Sequence, residues 1–358
     1  MAKEIIEEIE LRAIKVKLKE PFIISLGRLD YADNVSVVIK TKSGLVGFGE
    51  CSPFRSIHGE TSETCIAVGK IIRENLLGVD VLDIEGNIAL MDKIIFGNTS
   101  IKSAFDMAMY DISAREKAVP LYQFLGGENV KEIFTDYTVS LSSAEKMAAD
   151  AQKIKAEGYT VIKVKLGGAA DDDIARMKKI RAAVGMEIPI RIDANQGWNK
   201  SDAVYVLKSL ENFNIQHCEE PIDKHSFLEL PEIKNQSSIP IMADESCCDD
   251  KDAKRLIRIN ACDMFNIKLG KSGGVFKALK ILKIAEDNNI DVQVGGFLES
   301  RLGFTASAHL ALSSSAAKYF DFDTPLMFEE DPVHGGIEYG SNGKIIIGNE
   351  IGLGAKFI

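Results

Sequence analysis

From residue 135 onward one texture repeats: a short run of β-branched and apolar residues, then a polar amphipathic stretch. The runs are TDYTVSL, TVIKVKL, IPIRIDAN, IQHCEEP, IPIMADE, MFNIKLG, DVQVGGF and YFDFDTP. Eight strands separated by helical segments predict a parallel α/β barrel of the TIM type, (β/α)7β, in which chemistry gathers at the C-terminal strand ends. An open doubly wound sheet fits less well, because no Gly-rich phosphate fingerprint follows any run. The earlier part differs. Residues 4–18 alternate apolar and polar, NVSVVIKTKSGLVGFGE predicts two strands about the turn Lys42-Ser43-Gly44, and residues 62–128 carry a mostly helical pattern. The expected organisation is an N-terminal α+β capping domain (1–130), a barrel (131–325), and a C-terminal segment (326–358) that packs back on the capping domain.

Polar residues inside the predicted strands carry the chemistry. In TVIKVKL the two-residue period of a strand puts Lys163 and Lys165 on one face, although two adjacent ammonium groups repel. Asp193, Glu219 and Asp244 stand near the ends of the third, fourth and fifth runs, and Lys268 near the end of the sixth. From Lys163 through these four, the intervals are 30, 26, 25 and 24 residues, about one βα unit each. Three carboxylates aimed at one rim call for a hard divalent cation. Oxygen ligands with no His or Cys nearby favour Mg²⁺ over zinc. Lys163 and Lys165 on strand two and Lys268 on strand six would flank that ion from opposite sides. Desolvation and neighbouring positive charge are expected to lower a lysine pKa toward that of a general base. Lys271 is read as solvent-accessible, leaving Lys268 as the functional lysine of its segment. Glu220, Glu245 and Asn195 lie beside the ligands and are expected to orient them.

Composition narrows the partners. The 358 residues carry a formal net charge of −10, which disfavours broad contact with nucleic acid or an anionic membrane and leaves small molecules. No apolar run is long enough for a membrane span, and the N-terminus lacks a signal peptide's apolar core, so a cytoplasmic location is expected. The six cysteines show no CxxC pair and are read as reduced, buried thiols. Homo-oligomerisation is left open.

The Lys-x-Lys of strand two, the acids in RIDANQGW, HCEEP and MADES, and the lysine of NIKLGKSGG resemble the enolase superfamily, muconate-lactonizing subgroup. The similarity extends to GLVGFGE and SAFDMAMYDISAREKAVPLYQFLGG of the capping domain. It implies removal of a proton α to a carboxylate, with Mg²⁺ and Lys163 taking up the charge of an enediolate and Lys165 and Lys268 facing opposite sides of the α-carbon. Bases on two faces imply epimerisation. The subgroup also holds muconate cycloisomerases, o-succinylbenzoate synthases and N-acyl amino acid racemases, and the lysines alone do not choose among them. Asp321 and Asp323, one strand period apart in FDFDTP, suit a substrate ammonium. Such an Asp-x-Asp is similar to the dipeptide epimerases of the subgroup and implies a dipeptide whose C-terminal residue is inverted. Thr138, Gly296, Phe297 and Leu298 are expected to wall the substrate, and Glu299 to be a structural acid or one that supports the site through Lys268. In relatives acting on Ala-Glu the resemblance implies a cation on the first capping loop. Here Gly27 falls at that place, with Arg28 one position later, in the apolar loop PFIISLGRLDY. Hydrophobic or aromatic C-terminal residues are therefore expected over glutamate, with Arg28 or Arg55 as the cations that would reverse this.

Overall fold

The computed structural model describes residues 3–358. The alternating N-terminal segments form an antiparallel sheet of β1 (Ile6–Ile24), β2 (Gly27–Thr41) and β3 (Val46–Cys51). One face, with Ile6, Ile9, Val35, Val37 and Ile39, is buried against α1 (Ser62–Leu76), α2 (Ile84–Ile94) and α3 (Thr99–Glu116). Helix α3 lies so close to β3 that a Cβ on Gly49 would stand 1.9 Å from the Ala104 carbonyl oxygen, so only glycine fits there.

PFIISLGRLDY is a hairpin tip rather than a loop. Phe22 pairs with Leu29, Ile23 with Arg28 and Ile24 with Gly27. Gly27 takes φ +138° at the tip, a conformation L side chains rarely adopt. The tip is fastened to the barrel by Leu141 N–H to the Ile23 carbonyl (2.9 Å) and Ser25 Oγ to the Asn195 carbonyl (2.7 Å).

All eight predicted runs form strands: Tyr137–Val139, Ile162–Lys165, Ile190–Asp193, Ile215–Glu219, Ile241–Ala243, Met264–Lys268, Asp291–Gly295 and Ala317–Phe320. They are numbered here as barrel strands one to eight. Each is parallel to its neighbours in chain order. Ile162, Val164, Ile190 and Ile192 pack in the core that also holds Met147, Ile154, Met177 and Ile180 of the covering helices. The residues between them therefore point into the barrel. The curled sheet closes at the seam of strands one and eight, where Asp136 N–H reaches the Phe320 carbonyl (3.4 Å). Arg191 of strand three clamps the same seam, donating to Asp136 (2.6 Å) and to the Phe320 carbonyl (2.8 Å).

The chain beyond strand eight touches both layers. Glu329 N–H donates to the Lys17 carbonyl of β1 (2.9 Å) and Leu353 N–H to Asp111 of α3 (2.7 Å). On the barrel side, Arg301 binds the carbonyls of Val333, Gly335 and Ile337. Among the described residues all six cysteines are free and no helix is long and apolar enough to cross a membrane.

Candidate active site

Strand register brings the predicted residues together. Lys165 pairs with Asp193 and Asp193 with Glu219 across strands two to four, while Asp244 follows the end of strand five. All three lysines and all three carboxylates are buried. Lys163 Nζ contacts Glu219 (2.8 Å), Asp321 (2.7 Å) and Asp193 (3.4 Å); Lys165 contacts Asp193 (2.5 Å); Lys268 contacts Asp244 (2.6 Å) and Glu219 (3.7 Å). Each acid thus has an ammonium partner on the barrel interior.

These pairs reverse one expectation. Burial pulls the Lys163 and Lys268 pKa values down, but the surrounding carboxylates, Asp321 and Glu219 for the first and Asp244 and Glu219 for the second, outweigh it and both finish above the usual lysine range. The expected lowering requires a cation on those carboxylates, which would draw away the counter-charge each ammonium receives. Glu219 shows the reciprocal effect: burial raises it, and Lys163 and Lys268 carry it well below the ordinary carboxylate range.

Lys271 is not solvent-accessible. It is 2% exposed, and its Nζ contacts Asp244 Oδ1 (2.6 Å), the Asp244 carbonyl and the Asn266 carbonyl (2.8 Å). The short helix Leu269–Ser272 turns it back toward the rim immediately after strand six. Glu299 takes a structural role. It accepts from Phe297 N–H (2.5 Å) and makes no ion pair with Lys268. Burial, with Glu50 close by, pushes its carboxyl up to about 7.

Neutral donors fix the other two ligand acids. Asn195 N–H donates to Asp193 (2.8 Å), and Asn266 Nδ2 (2.8 Å) and Gln293 Nε2 (3.2 Å) donate to Glu219. Glu220, held at φ +34°, accepts from Asp244 N–H (2.7 Å) and from Ser246. The side-chain contact between Asn195 and Glu245 is longer, at 3.4 Å. Asn266 and Gln293 escaped the sequence reading, yet they occupy inward positions two residues before Lys268 and Gly295. The period that exposed Lys163 and Lys165 marks them too.

On the opposite arc, Asp321 pairs with Lys163, and Asp323 accepts from Thr138 N–H (2.6 Å). Arg301 and Lys318, the cations nearest to this pair along the chain, bind Asp331 and Asp291. Burial, reinforced by Asp321, pushes Asp323 up to about 7. Asp136, Asp321 and Asp323 place carboxylate oxygens within 4.8 Å of one another. Arg191 pairs with Asp136 and Lys163 with Asp321 in that cluster.

A cavity of about 30 Å³ is lined by Lys165, Lys268, Asp321, Asp323, Thr138, Asn195, Gly296, Phe297 and Leu298 on the barrel side, with Phe22, Ile24, Phe54 and Ile57 from the cap. Phe54 and His58 pack on Phe297 at ring distances of 5.8 and 4.5 Å. A Cβ on Gly296 would meet the Phe304 ring at 2.6 Å, so packing alone requires this glycine. Gly27, Arg28 and Arg55 are not in the lining of this cavity; they line an adjoining surface pocket that shares Phe54 and Leu298 with it. Arg28 is paired with Asp30 (2.7 Å), and its side chain is 59% exposed.

Asp193, Glu219 and Asp244 fit a hard divalent cation. Beside them Asn195 Oδ1 and Glu245 Oε2 are buried without a donor, and oxygen acceptors left short of positive charge suit Mg²⁺. The comparisons agree. Residues 7–126 match the mandelate racemase / muconate lactonizing enzyme N-terminal domain, and residues 146–357 match the enolase C-terminal domain-like family. The chain belongs to the enolase superfamily. It is 55% identical to a D-Ala-D/L-Ala epimerase of Cytophaga hutchinsonii, across 99% of this chain and 96% of the relative. The crystal structure of the dipeptide epimerase from that organism, complexed with Mg and D-Ala-L-Val, matches at a TM-score of 0.98, with 55% identity over 99% and 96% of the two chains. A dipeptide epimerase of Enterococcus faecalis complexed with Mg and L-Leu-L-Tyr matches at 0.95, with 36% identity over 99% and 100%. An L-Ala-D/L-Glu epimerase of Clostridium acetobutylicum is 37% identical over 99% of both chains. This superfamily member is an isomerase of the racemase and epimerase type, and its cofactor is Mg²⁺.

Proposed function

We propose that this enzyme epimerises dipeptides at the α-carbon of the C-terminal residue and prefers an apolar side chain there. The observation that carries the preference is the lining of the cavity shared by Lys165 and Lys268. Apart from those lysines it holds no cation among the described residues, and Phe22, Ile24, Phe54, Ile57, Phe297 and Leu298 supply its apolar wall. A glutamate side chain would lie there unpaired at a cost of several kcal/mol, whereas a buried branched or aromatic side chain gains about 1.5–3 kcal/mol. The Cytophaga relative supports the same class.

The residues divide the work. When bound, Mg²⁺ supplies positive charge beside the substrate carboxylate. Lys163, buried and fixed by Glu219 and Asp321, remains an ammonium and stabilises negative charge as it develops. Lys165 or Lys268 takes the α-proton as the free amine, a form that a divalent cation on Asp193, Glu219 and Asp244 would favour by drawing counter-charge away from the lysines, and the other returns one from the opposite face. Asp321 and Asp323 receive the substrate ammonium, and the cap's apolar residues exclude water.

A dipeptide library incubated in deuterated water and read by mass shift tests the preference. Ala-Val, Ala-Phe and Ala-Tyr are expected to exceed Ala-Glu in kcat/KM. A clear lead for Ala-Glu would refute the apolar assignment.

A further inference from the structure

Lys271 lies outside the catalytic pair, yet its ammonium is more enclosed than theirs. It sits behind Asp244, bound to that residue's Oδ1 and carbonyl and to the Asn266 carbonyl. Lys268 takes the other oxygen, Oδ2 (2.6 Å). The Asp244 carboxylate is therefore divided between two lysines, one facing the cavity and one buried beneath it. Asp193 and Glu219 also accept neutral N–H donors, and they share the buried Lys163, at 3.4 and 2.8 Å; of the three acids, Lys271 contacts Asp244. On the Lys165 side, Asp193 has no contact with Lys271.

We infer that Lys271 is a positioning residue for one half of the reaction: by occupying Asp244 Oδ1 it fixes that carboxylate and, through Oδ2, the Lys268 ammonium. It touches neither substrate nor the reacting carbon. The inference rests on the two-base reading of the site and adds that the two faces of the α-carbon are supported unequally. Without Lys271, the carboxylate rotates and Lys268 gains both of its oxygens. The Lys268 amine is then misplaced, while Lys165 keeps its own partner.

The test is α-proton exchange in deuterated water with the Mg²⁺-loaded enzyme, starting separately from each epimer of one dipeptide. Lys268→Ala first identifies the epimer whose exchange requires Lys268. In Lys271→Met, exchange of that epimer is expected to fall by about tenfold or more, while exchange of the other stays within about threefold of the parent. Lys271→Gln, which keeps a donor without the charge, tests the same asymmetry if the Met variant does not fold. A crystal structure of the metal-free variant provides a readout independent of activity, with both Asp244 oxygens expected within hydrogen-bond distance of Lys268 Nζ. Equal loss for both epimers, no loss for either, or an unmoved Asp244 would overturn the inference. If Lys268→Ala removes exchange of both epimers or of neither, the two-base reading fails instead.

Discussion

Charge at single residues sets the chemistry of this site. Glu219 is buried among Lys163, Lys268, Asn266 and Gln293, so Glu219→Gln removes the charge that balances a cation while leaving the shape nearly intact. Turnover should be lost and Mg²⁺ affinity, read by calorimetry, should fall by at least about tenfold. Excess chelator should silence the parent enzyme in the same assay. Asp323 offers a pH test. Its carboxyl stands near 7 because burial and Asp321 disfavour the charged form, so below that value more of the free enzyme carries a neutral Asp323 that cannot pair with an ammonium. KM for a dipeptide should therefore rise as pH falls from 8 to 6. In Asp323→Asn, KM should be raised throughout and this part of its pH dependence should disappear. An unchanged profile in the variant would separate Asp323 from substrate binding.

At the scale of elements, the cap and barrel are joined through buried polar contacts. Glu50 of β3 accepts from Asn34 (2.8 Å), Ser300 N–H (3.0 Å), Ser300 Oγ (2.7 Å) and Gly303 N–H (2.9 Å), so a cap residue completes the first turn of barrel helix Arg301–Leu312. Glu50→Ala leaves those buried donors without an acceptor and should cost about 2–4 kcal/mol, seen as a lower urea midpoint. A stability equal to the parent's would show that water replaces the carboxylate. The strands themselves were legible in the sequence, because eight β-rich runs alternate with helical pattern. The hairpin tip was not. Its apolar residues resemble a loop's contact surface until Ile24 and Gly27 are seen to pair across the turn. Lys271 was misread for a related reason: strand periodicity stops at Lys268, and the tight helical turn that buries the next lysine leaves little sequence signal. Lys163, Lys165, Asp193, Glu219, Asp244 and Lys268 stood out because charges inside apolar strands require a purpose. The partners of those charges depend on contacts between strands far apart in sequence.

Across the whole molecule, the cap covers the barrel mouth with Phe22, Ile24, Phe54 and Ile57. The Ser25–Asn195 contact fastens the hairpin tip over that mouth. This enclosure gives the site its dry, charge-dense character, and the lysines at its two sides give it stereochemical freedom. The most direct test of that account is α-deuterium exchange by Lys165→Ala and Lys268→Ala with each epimer of an apolar dipeptide. Both variants should lose epimerisation, and each should retain exchange with a different epimer, one complementary to the other. Exchange of both epimers by both variants, or retained epimerisation in either, would contradict the assignment of one lysine to each face.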